Sequence, residues 1–168
     1  MTETPPLGDG RLRLEPLTVQ HADEMVDVLS DAVLYRFTGG SPPTLDELRS
    51  RYARQSAGSG SAVEEWHTWV VRLGADGPAV GFVQATVRPG EGVAELAWVV
   101  GTPWQGRGVA RDAAALVLDH VTTGRTRVTA HIHPEHIASQ RVATALGMAA
   151  TDRLVDGEVE WVLDVERP

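Results

Sequence analysis

A glycine-bearing turn between a strand-like run and a helical run constrains this chain more than any other feature. The run Val93–Val100 has the composition of a strand, residues 112–121 form a helical pattern, and Gln105–Ala110 joins them through Gly106 and Gly108. The first amides of a helix have no internal partner and carry partial positive charge, so a turn of this type can bind an anion. Glycine has no Cβ, which lets a phosphate approach the main chain closely. By itself, the turn is equally compatible with an ordinary glycine-rich connection.

Two common phosphate loops are excluded. A P-loop requires a lysine, and all 15 basic residues of this chain are arginine. A dinucleotide-binding fingerprint requires a third glycine where this chain has Arg111, and it belongs early in a chain rather than late. Arg107 and Arg111 add forked donors that suit phosphate. The turn therefore predicts a phosphate compound of another kind.

Composition limits the class of protein and its partners. The chain has 168 residues, a net charge of −8 and no cysteine. Its length suits one domain, residues 1–168, in which the polar residues 1–10 are expected to be flexible. The acidic balance argues against nucleic acid and favours a cationic partner, and the lack of cysteine excludes disulfides, thiolate metal sites and a cysteine nucleophile. With neither a membrane-spanning apolar run nor a signal-peptide pattern, a cytoplasmic protein is expected.

Hydrophobic periodicity predicts the element order β-α-α-β-β-β-α-β-α-β-β. Hairpins make the three central strands antiparallel, and the helix between Val100 and Arg127 makes a parallel crossover. The predicted fold class is therefore α/β (α+β), a single mixed and mostly antiparallel sheet with helices on both faces. The predicted strands span residues 11–15, 66–73, 79–87, 93–100, 127–132, 148–155 and 158–165. The helices begin at Thr18, with an apolar face that reaches Val33, at Thr44 in a capping box with Glu47, at Asp112, and at Glu135 or His136.

Three segments, in this order, resemble the GNAT family of N-acetyltransferases, and more narrowly the branch that acetylates the N-termini of proteins, including ribosomal proteins. The turn Gln105–Ala110 matches the family's Gln/Arg-x-x-Gly-x-Gly/Ala pyrophosphate loop. Residues 133–139 (HPEHIAS) and 145–148 (ALGM) resemble the branch's Asn-x-x-Ser…Leu-Gly-Phe segment, and residues 12–17 (LRLEPL) resemble its opening strand. The resemblance covers nearly the whole chain.

The resemblance implies acetyl-CoA, or another acyl-CoA, as the acyl donor. The pantetheine arm would pair with the backbone of Trp98, Val99 and Val100, in a wedge between two diverging strands. The family's Asn position is His136 here, a departure from the pattern, and Ser139 keeps a hydroxyl beside the cofactor. The pyrophosphate would be held by the amides of Gln105, Gly106, Arg107, Gly108, Val109 and Ala110.

Transfer to an amine requires a base, because a lysine-type amine with a pKa near ~10.4 arrives mostly protonated. Glu95 is our candidate, since it matches the strand glutamate of several family members and its apolar neighbours favour a raised pKa. The alternative is a Glu95 that faces solvent or pairs with an arginine. His131 and His133 share one strand face and are compatible with a base, a metal pair or, as we expect, plain sheet surface. The family's tyrosine acid corresponds to Ala143, which leaves Ser139 or water in that role.

The resemblance places the acceptor between the loop of the first two helices and the last hairpin. Tyr35 and Phe37 in that loop are therefore candidate substrate-binding residues, and Trp66 on the second strand is a third candidate for the same cleft, whereas alternation places Trp69 in the core.

The predicted function is transfer of acetyl from acetyl-CoA to a primary amine by direct attack, with no metal. The acceptor amine lies on a peptide N-terminus or on a small molecule. A non-catalytic acyl-CoA-binding module is the alternative, because the asparagine is replaced by His136 and the tyrosine by Ala143. The expected partners are acyl-CoA and an amine, without nucleic acid or membrane, in a monomer or a homodimer.

Overall fold

A computed structural model describes residues 2–165 as one eight-stranded sheet flanked by four α-helices. The order along the chain agrees with the predicted order, apart from a short additional first strand. The strands are β1 Leu7–Gly8, β2 Leu12–Pro16, β3 Glu65–Leu73, β4 Ala79–Arg88, β5 Val93–Val100, β6 Arg127–Ile132, β7 Ala149–Val155 and β8 Glu158–Asp164. The helices are α1 Ala22–Val28, α2 Leu45–Ser56, α3 Val109–Val121 and α4 Ile137–Ala145.

The strands lie in the order β1-β2-β3-β4-β5-β6-β8-β7. Neighbouring strands are antiparallel except β5 and β6, which are parallel. The connection between those two strands is α3, as expected for a parallel crossover. The predicted fold class is therefore confirmed.

Alternation along the strands divides the core between two faces of the sheet. In β3, Trp69 packs in a cluster with α3 and α4, whereas the next residue, Val70, packs in a second cluster with α1 and α2. Both residues are fully buried. Successive strand side chains point to opposite faces, so the helices must cover both sides of the sheet.

Local signals set the start of α2 but did not predict the end of α1. Thr44 and Glu47 form the predicted capping box at the start of α2, with each side chain bound to the other's amide. The helix predicted from Thr18 is shorter than expected: α1 ends at Val28, and Val33 lies in a 3-10 turn with 63% of its surface exposed. The predicted apolar face therefore stops before Val33.

Residues 4–8, within the segment expected to be flexible, contact the sheet. The buried indole of Trp69 donates from Nε1 to the carbonyl of Pro5 at 2.7 Å, and Thr4 Oγ1 lies 2.7 Å from His67 Nδ1. Leu7 and Gly8 then pair with β2. A buried indole N–H needs an acceptor, and this need holds the segment in place.

No helix within residues 2–165 is both long and apolar enough to cross a membrane.

Candidate active site

The parallel strands β5 and β6 separate partway along their length. They pair from Val93–Arg127 to Glu95–Thr129, and no later pair joins them in the described part of the chain. Beyond this point β5 stays paired with β4 as far as Val100, while β6 pairs with β8 as far as Ile132. The separation leaves a wedge with one strand edge, Leu96 to Val100, facing it, as the resemblance implied.

The turn after β5 has the geometry of an anion site. Gly106 and Gly108 have φ angles of 75° and 76°, a left-handed backbone that favours glycine. Gly108 is the N-cap of α3 and has no side chain that could cap the helix, and the first helical bond is donated by Asp112 to the Gly108 carbonyl at 3.0 Å. The amides of Val109 and Ala110 therefore precede the helical ladder and have no partner within it. The helix begins three residues earlier than predicted because the turn itself opens it.

Gln105 links this turn to the strand. Its side-chain Nε2 donates to the Val100 carbonyl at 2.9 Å. The side chain is thus directed at the end of β5, and the Val100 oxygen already has a partner. Gln105 therefore ties the turn to the end of β5, whereas the neighbouring Val99 carbonyl lies toward Gly81 of β4.

Glu95 lies at the apex of the wedge, on the last residue pair that joins β5 to β6. Ala94 and Leu96 are buried in the cluster under α3, so Glu95 between them points to the opposite face. Its Oε1 lies 3.1 Å from His131 Nδ1, and its Oε2 lies 3.8 Å from Arg88 Nη1. The side chain is about one-third exposed, at 34%. Glu95 was expected to be buried among apolar neighbours, but Ala94 and Leu96 point to the other face of the sheet. The alternative, a pairing with an arginine, is present at Arg88.

His131 stands between two carboxylates. Its other nitrogen, Nε2, lies 3.5 Å from Glu160 Oε2 on β8, and the same oxygen forms an ion pair with Arg153 Nη1 at 3.6 Å. The sequence shows the alternation of these residues, but only the β6–β8 register, which pairs His131 with Glu160, brings them together. Glu95, His131 and Glu160 form a carboxylate–imidazole–carboxylate row across one face of the sheet, so His131 has two carboxylate partners on this surface.

The start of β8 adds a further carboxyl group to this face. Burial raises the pKa of Glu158, opposed by nearby His131 and His133 and reinforced by Glu95 and Asp156. The acidic residues of the last hairpin therefore lie beside the wedge. Among residues 2–165, no three histidine, aspartate or glutamate side chains are grouped in a way that could hold a metal ion.

His136 and Ser139 contact one another at the start of α4. His136 Nδ1 accepts the Ser139 amide at 3.3 Å, and His136 Nε2 lies 3.2 Å from Ser139 Oγ. Burial lowers the pKa of His136, which favours the neutral ring. Because Nδ1 accepts a bond, we assign the single proton to Nε2, which then donates to Ser139 Oγ. The hydroxyl hydrogen of Ser139 is left to donate elsewhere.

The loop between α1 and α2 reaches this part of the site through Phe37. The Phe37 ring stacks on His136 with centroids 4.7 Å apart and lies 5.1 Å from His133. Tyr35, by contrast, donates its hydroxyl to the Leu29 carbonyl at 2.8 Å, and burial raises its pKa. The structure thus brings Phe37 to the site and directs the Tyr35 hydroxyl into its own loop.

Trp66 lies on the same sheet face as Glu95, because Trp66 pairs with Thr86 and Thr86 pairs with Glu95. Its indole is 37% exposed and donates to Glu64 Oε1 at 3.0 Å. Trp69 is fully buried, as predicted. The sequence reasoning missed Arg11, whose side chain contacts the turn Gln105–Ala110 from the far end of the chain.

The structure thus combines diverging parallel strands with a glycine-bearing turn that opens a helix, the two features that the resemblance to N-acetyltransferases implied. The chain belongs to the GNAT acetyltransferase family, since the family model described as the acetyltransferase (GNAT) domain matches residues 11–149. It is an acetyl-CoA-dependent N-acetyltransferase. A search of curated proteins finds no match to this sequence.

Solved structures share the fold at low sequence identity. A GNAT-family acetyltransferase from Bacillus anthracis superposes with a TM-score of 0.79 at 18% identity, over 95% of this chain and 98% of that one. The microcin C7 self-immunity acetyltransferase MccE, in complex with acetyl-CoA and AMP, gives 0.78 at 10%, over 94% of each chain. The ribosomal L7/L12 alpha-N-protein acetyltransferase RimL, in complex with coenzyme A, gives 0.77 at 12%, over 96% and 98%.

Proposed function

We propose that this enzyme acetylates a primary amine of a cationic acceptor inside the wedge between β5 and β6, with Glu95 as the base. One observation carries the proposal: the strands part immediately after Glu95, and β5 then leads into the open N-terminus of α3. A thioester in the wedge and its phosphates on α3 would thus lie along one continuous path, with a carboxylate at the inner end.

Residues on both sides of the wedge would hold the donor. The amides from Gln105 to Ala110 suit the pyrophosphate, because they combine helix N-terminal polarity with two glycines that leave the main chain accessible. The strand edge at Trp98, Val99 and Val100 would pair with the amides of the pantetheine arm. An amide from the same edge would donate to the thioester oxygen as negative charge develops there.

Glu95 would remove the proton that keeps the acceptor amine from attacking. A lysine-type amine has a pKa of about 10.4 and an α-amine about 7.7–8.0, so either amine must lose a proton near neutral pH. Glu95 would accept it directly or through water. His131, 3.1 Å from Glu95 and 3.5 Å from Glu160, orients the base and can pass the proton across the row.

Ser139 would act on the leaving sulfur. Its hydroxyl receives a bond from His136 Nε2, so its own hydrogen can be donated to the developing thiolate. A hydroxyl is a much weaker acid than a thiol, so Ser139 would stabilise the thiolate by a hydrogen bond while water supplies the proton. This role does not need the tyrosine that Ala143 replaces.

Charge favours a cationic acceptor. Glu95, Glu158 and Glu160 lie on one face of the sheet beside the wedge, in a chain whose net charge is −8. Phe37 and the exposed Trp66 provide flat apolar surfaces for the rest of the acceptor. The resemblance to the ribosomal-protein branch favours a peptide N-terminus, and a small polyamine or aminosugar is the competing acceptor.

The test is release of free CoA thiol from acetyl-CoA with a panel of amines. The panel contains peptides with free N-termini, the same peptides acetylated at the N-terminus, a polyamine and an aminosugar. We expect release with at least one free amine and none with the blocked peptides. Tight binding of acetyl-CoA without release on any amine would instead indicate a non-catalytic acyl-CoA-binding protein.

A further inference from the structure

We propose that Arg11, immediately before β2, is a positioning residue that is required for tight binding of CoA. It would orient the turn Gln105–Ala110. The inference rests on the proposed function, since it concerns the same donor site. Arg11 Nη2 donates to the Arg107 carbonyl at 2.7 Å, across 96 positions of sequence. Arg11 Nη1 also pairs with the carboxylate of Asp112 in the first turn of α3.

The contact with the Arg107 carbonyl fixes an amide on the other side of the same peptide. A trans peptide is planar, and its C=O and N–H point in opposite directions. The Arg107 carbonyl shares its peptide plane with the Gly108 amide. When Arg11 holds the carbonyl on one side of the turn, the Gly108 N–H is directed to the other side, toward the position expected for a phosphate.

The turn needs this external support because of its own sequence. Gly106 and Gly108 flank Arg107, and glycine loses more conformational freedom on ordering than any other residue. Among the side chains of residues 105–108, only that of Gln105 is hydrogen-bonded to the rest of the fold, through the Val100 carbonyl. Arg11 supplies a second contact, in the middle of the turn. This contact orders the turn before the ligand arrives and so lowers the entropic cost of phosphate binding.

Arg11 also neutralises a charge that would oppose the ligand. Asp112 lies in the first turn of α3, close to where a phosphate would sit, and its carboxylate would repel it. Arg11 binds one oxygen of this carboxylate, and Arg111 Nε binds the other at 2.9 Å. The Arg111 guanidinium also lies over Gly108, where a Cβ would meet Nη2 at 2.7 Å. The guanidiniums of Arg11 and Arg111 thus flank one carboxylate and balance its charge in a chain that is acidic as a whole.

The backbone of Arg11 is itself held firmly. Its amide donates to Asp9 Oδ1 at 2.9 Å, and its carbonyl accepts the Gly74 amide at 2.7 Å. The guanidinium therefore projects from the fixed start of β2 rather than from a loose segment. Arg13, two residues later, donates to the Ala75 carbonyl at 3.2 Å, away from the turn, and offers a matched control of equal charge.

The experiment compares Arg11→Ala with Arg13→Ala. For Arg11→Ala we expect the Kd of CoA, measured by calorimetry, to rise about tenfold, as loss of a charged hydrogen bond predicts. The kcat at saturating acetyl-CoA should stay within about twofold, because a residue that acts on binding alone leaves the bound state competent. S-acetyl-pantetheine, which has no phosphate, should be used equally well by both variants and by the unaltered enzyme.

Two outcomes would overturn the proposal. The first is a CoA affinity for Arg11→Ala equal to that of Arg13→Ala, and the second is an equal loss with S-acetyl-pantetheine, which would indicate general damage. The pair Arg11→Ala with Asp112→Asn separates aiming from neutralisation: affinity should stay at least about threefold below that of the unaltered enzyme, because the carbonyl contact is still missing. Full recovery of the CoA affinity in this double variant would also overturn the proposal, because charge neutralisation would then be the whole effect of Arg11. If the unaltered enzyme binds no CoA, the proposed function fails instead.

Discussion

At the scale of single residues, the site is decided by pairs from different strands. Glu95 on β5, His131 on β6 and Glu160 on β8 form one row. His131 contacts both carboxylates, so each carboxylate restricts the orientation of the ring. An imidazole between two carboxylates is held in orientation and can move a proton in either direction. Glu95 with this support is better placed as a base than an isolated, partly exposed carboxylate.

Substitution of Glu95 tests this arrangement directly. Glu95→Gln keeps the shape but cannot accept a proton, so turnover should fall by about two orders of magnitude in the thiol-release assay. His131→Gln should cause a smaller loss, about tenfold, because it removes orientation rather than the base itself. Glu91→Gln, in the exposed turn before β5, is the matched control and should behave like the unaltered enzyme. Turnover of Glu95→Gln that matches this control across pH would contradict the assignment.

At the scale of elements, the two edges of β5 have different structural requirements. The strand must pair with β4 along its whole length and yet leave its other edge open beyond Glu95. The close approach of β4 helps to keep the free end of β5 in place. At Gly81, opposite Val100, a Cβ would lie 2.2 Å from the Val99 carbonyl oxygen. Only a residue without a side chain permits this spacing.

Gly81→Ala should therefore damage both stability and donor binding. The added methyl forces the end of β5 away from β4, so the free energy of unfolding should fall by about 1–3 kcal/mol in urea titrations. The KM for acetyl-CoA should rise as well, because the displaced residues Val99 and Val100 form the wedge edge. Gly90→Ala, where nothing lies within 4 Å of the new Cβ, is the control and should change stability by less than about 0.5 kcal/mol. Equal stability of the two variants would show that the spacing at Gly81 is not needed.

At the scale of the whole molecule, two histidines make stability depend on pH. Burial lowers the pKa of His120, with His67 and Arg125 adding to the effect, and burial also lowers the pKa of His136. His120 packs edge-on against Trp69, with centroids 6.0 Å apart, so it is part of the packing beneath α3. Both residues favour the neutral ring in the folded state.

Acidification should consequently destabilise the fold. An unfolded histidine has a pKa of about 6.5, so below that value the unfolded chain takes up protons before the folded one. This contribution to stability is complete above the unfolded pKa and is lost as the pH falls toward the lowered folded pKa. We expect the urea midpoint to decrease between about pH 7.5 and pH 5.5, and His120→Gln to reduce that decrease. An unchanged pH dependence in His120→Gln would rule out its contribution.

The sequence alone determined the parts of this protein that are local. The turn Gln105–Ala110 is six consecutive residues. Its two glycines and its position before a helical pattern are visible in the sequence itself. The element order followed from hydrophobic periods of two and about 3.6, which are properties of short segments. Thr44 and Glu47 formed their capping box as predicted for the same reason.

Only the tertiary structure decided which distant side chains meet. The row through His131 depends on the register of β6 against β8, and a shift of one residue would turn Glu160 to the other face. The contact of Arg11 with Arg107 depends on how the start of β2 lies relative to the start of α3, and no periodicity encodes this placement. A pattern along one chain specifies which face a residue takes. Which partner it meets there is set by register and packing, and these arise from the whole fold at once.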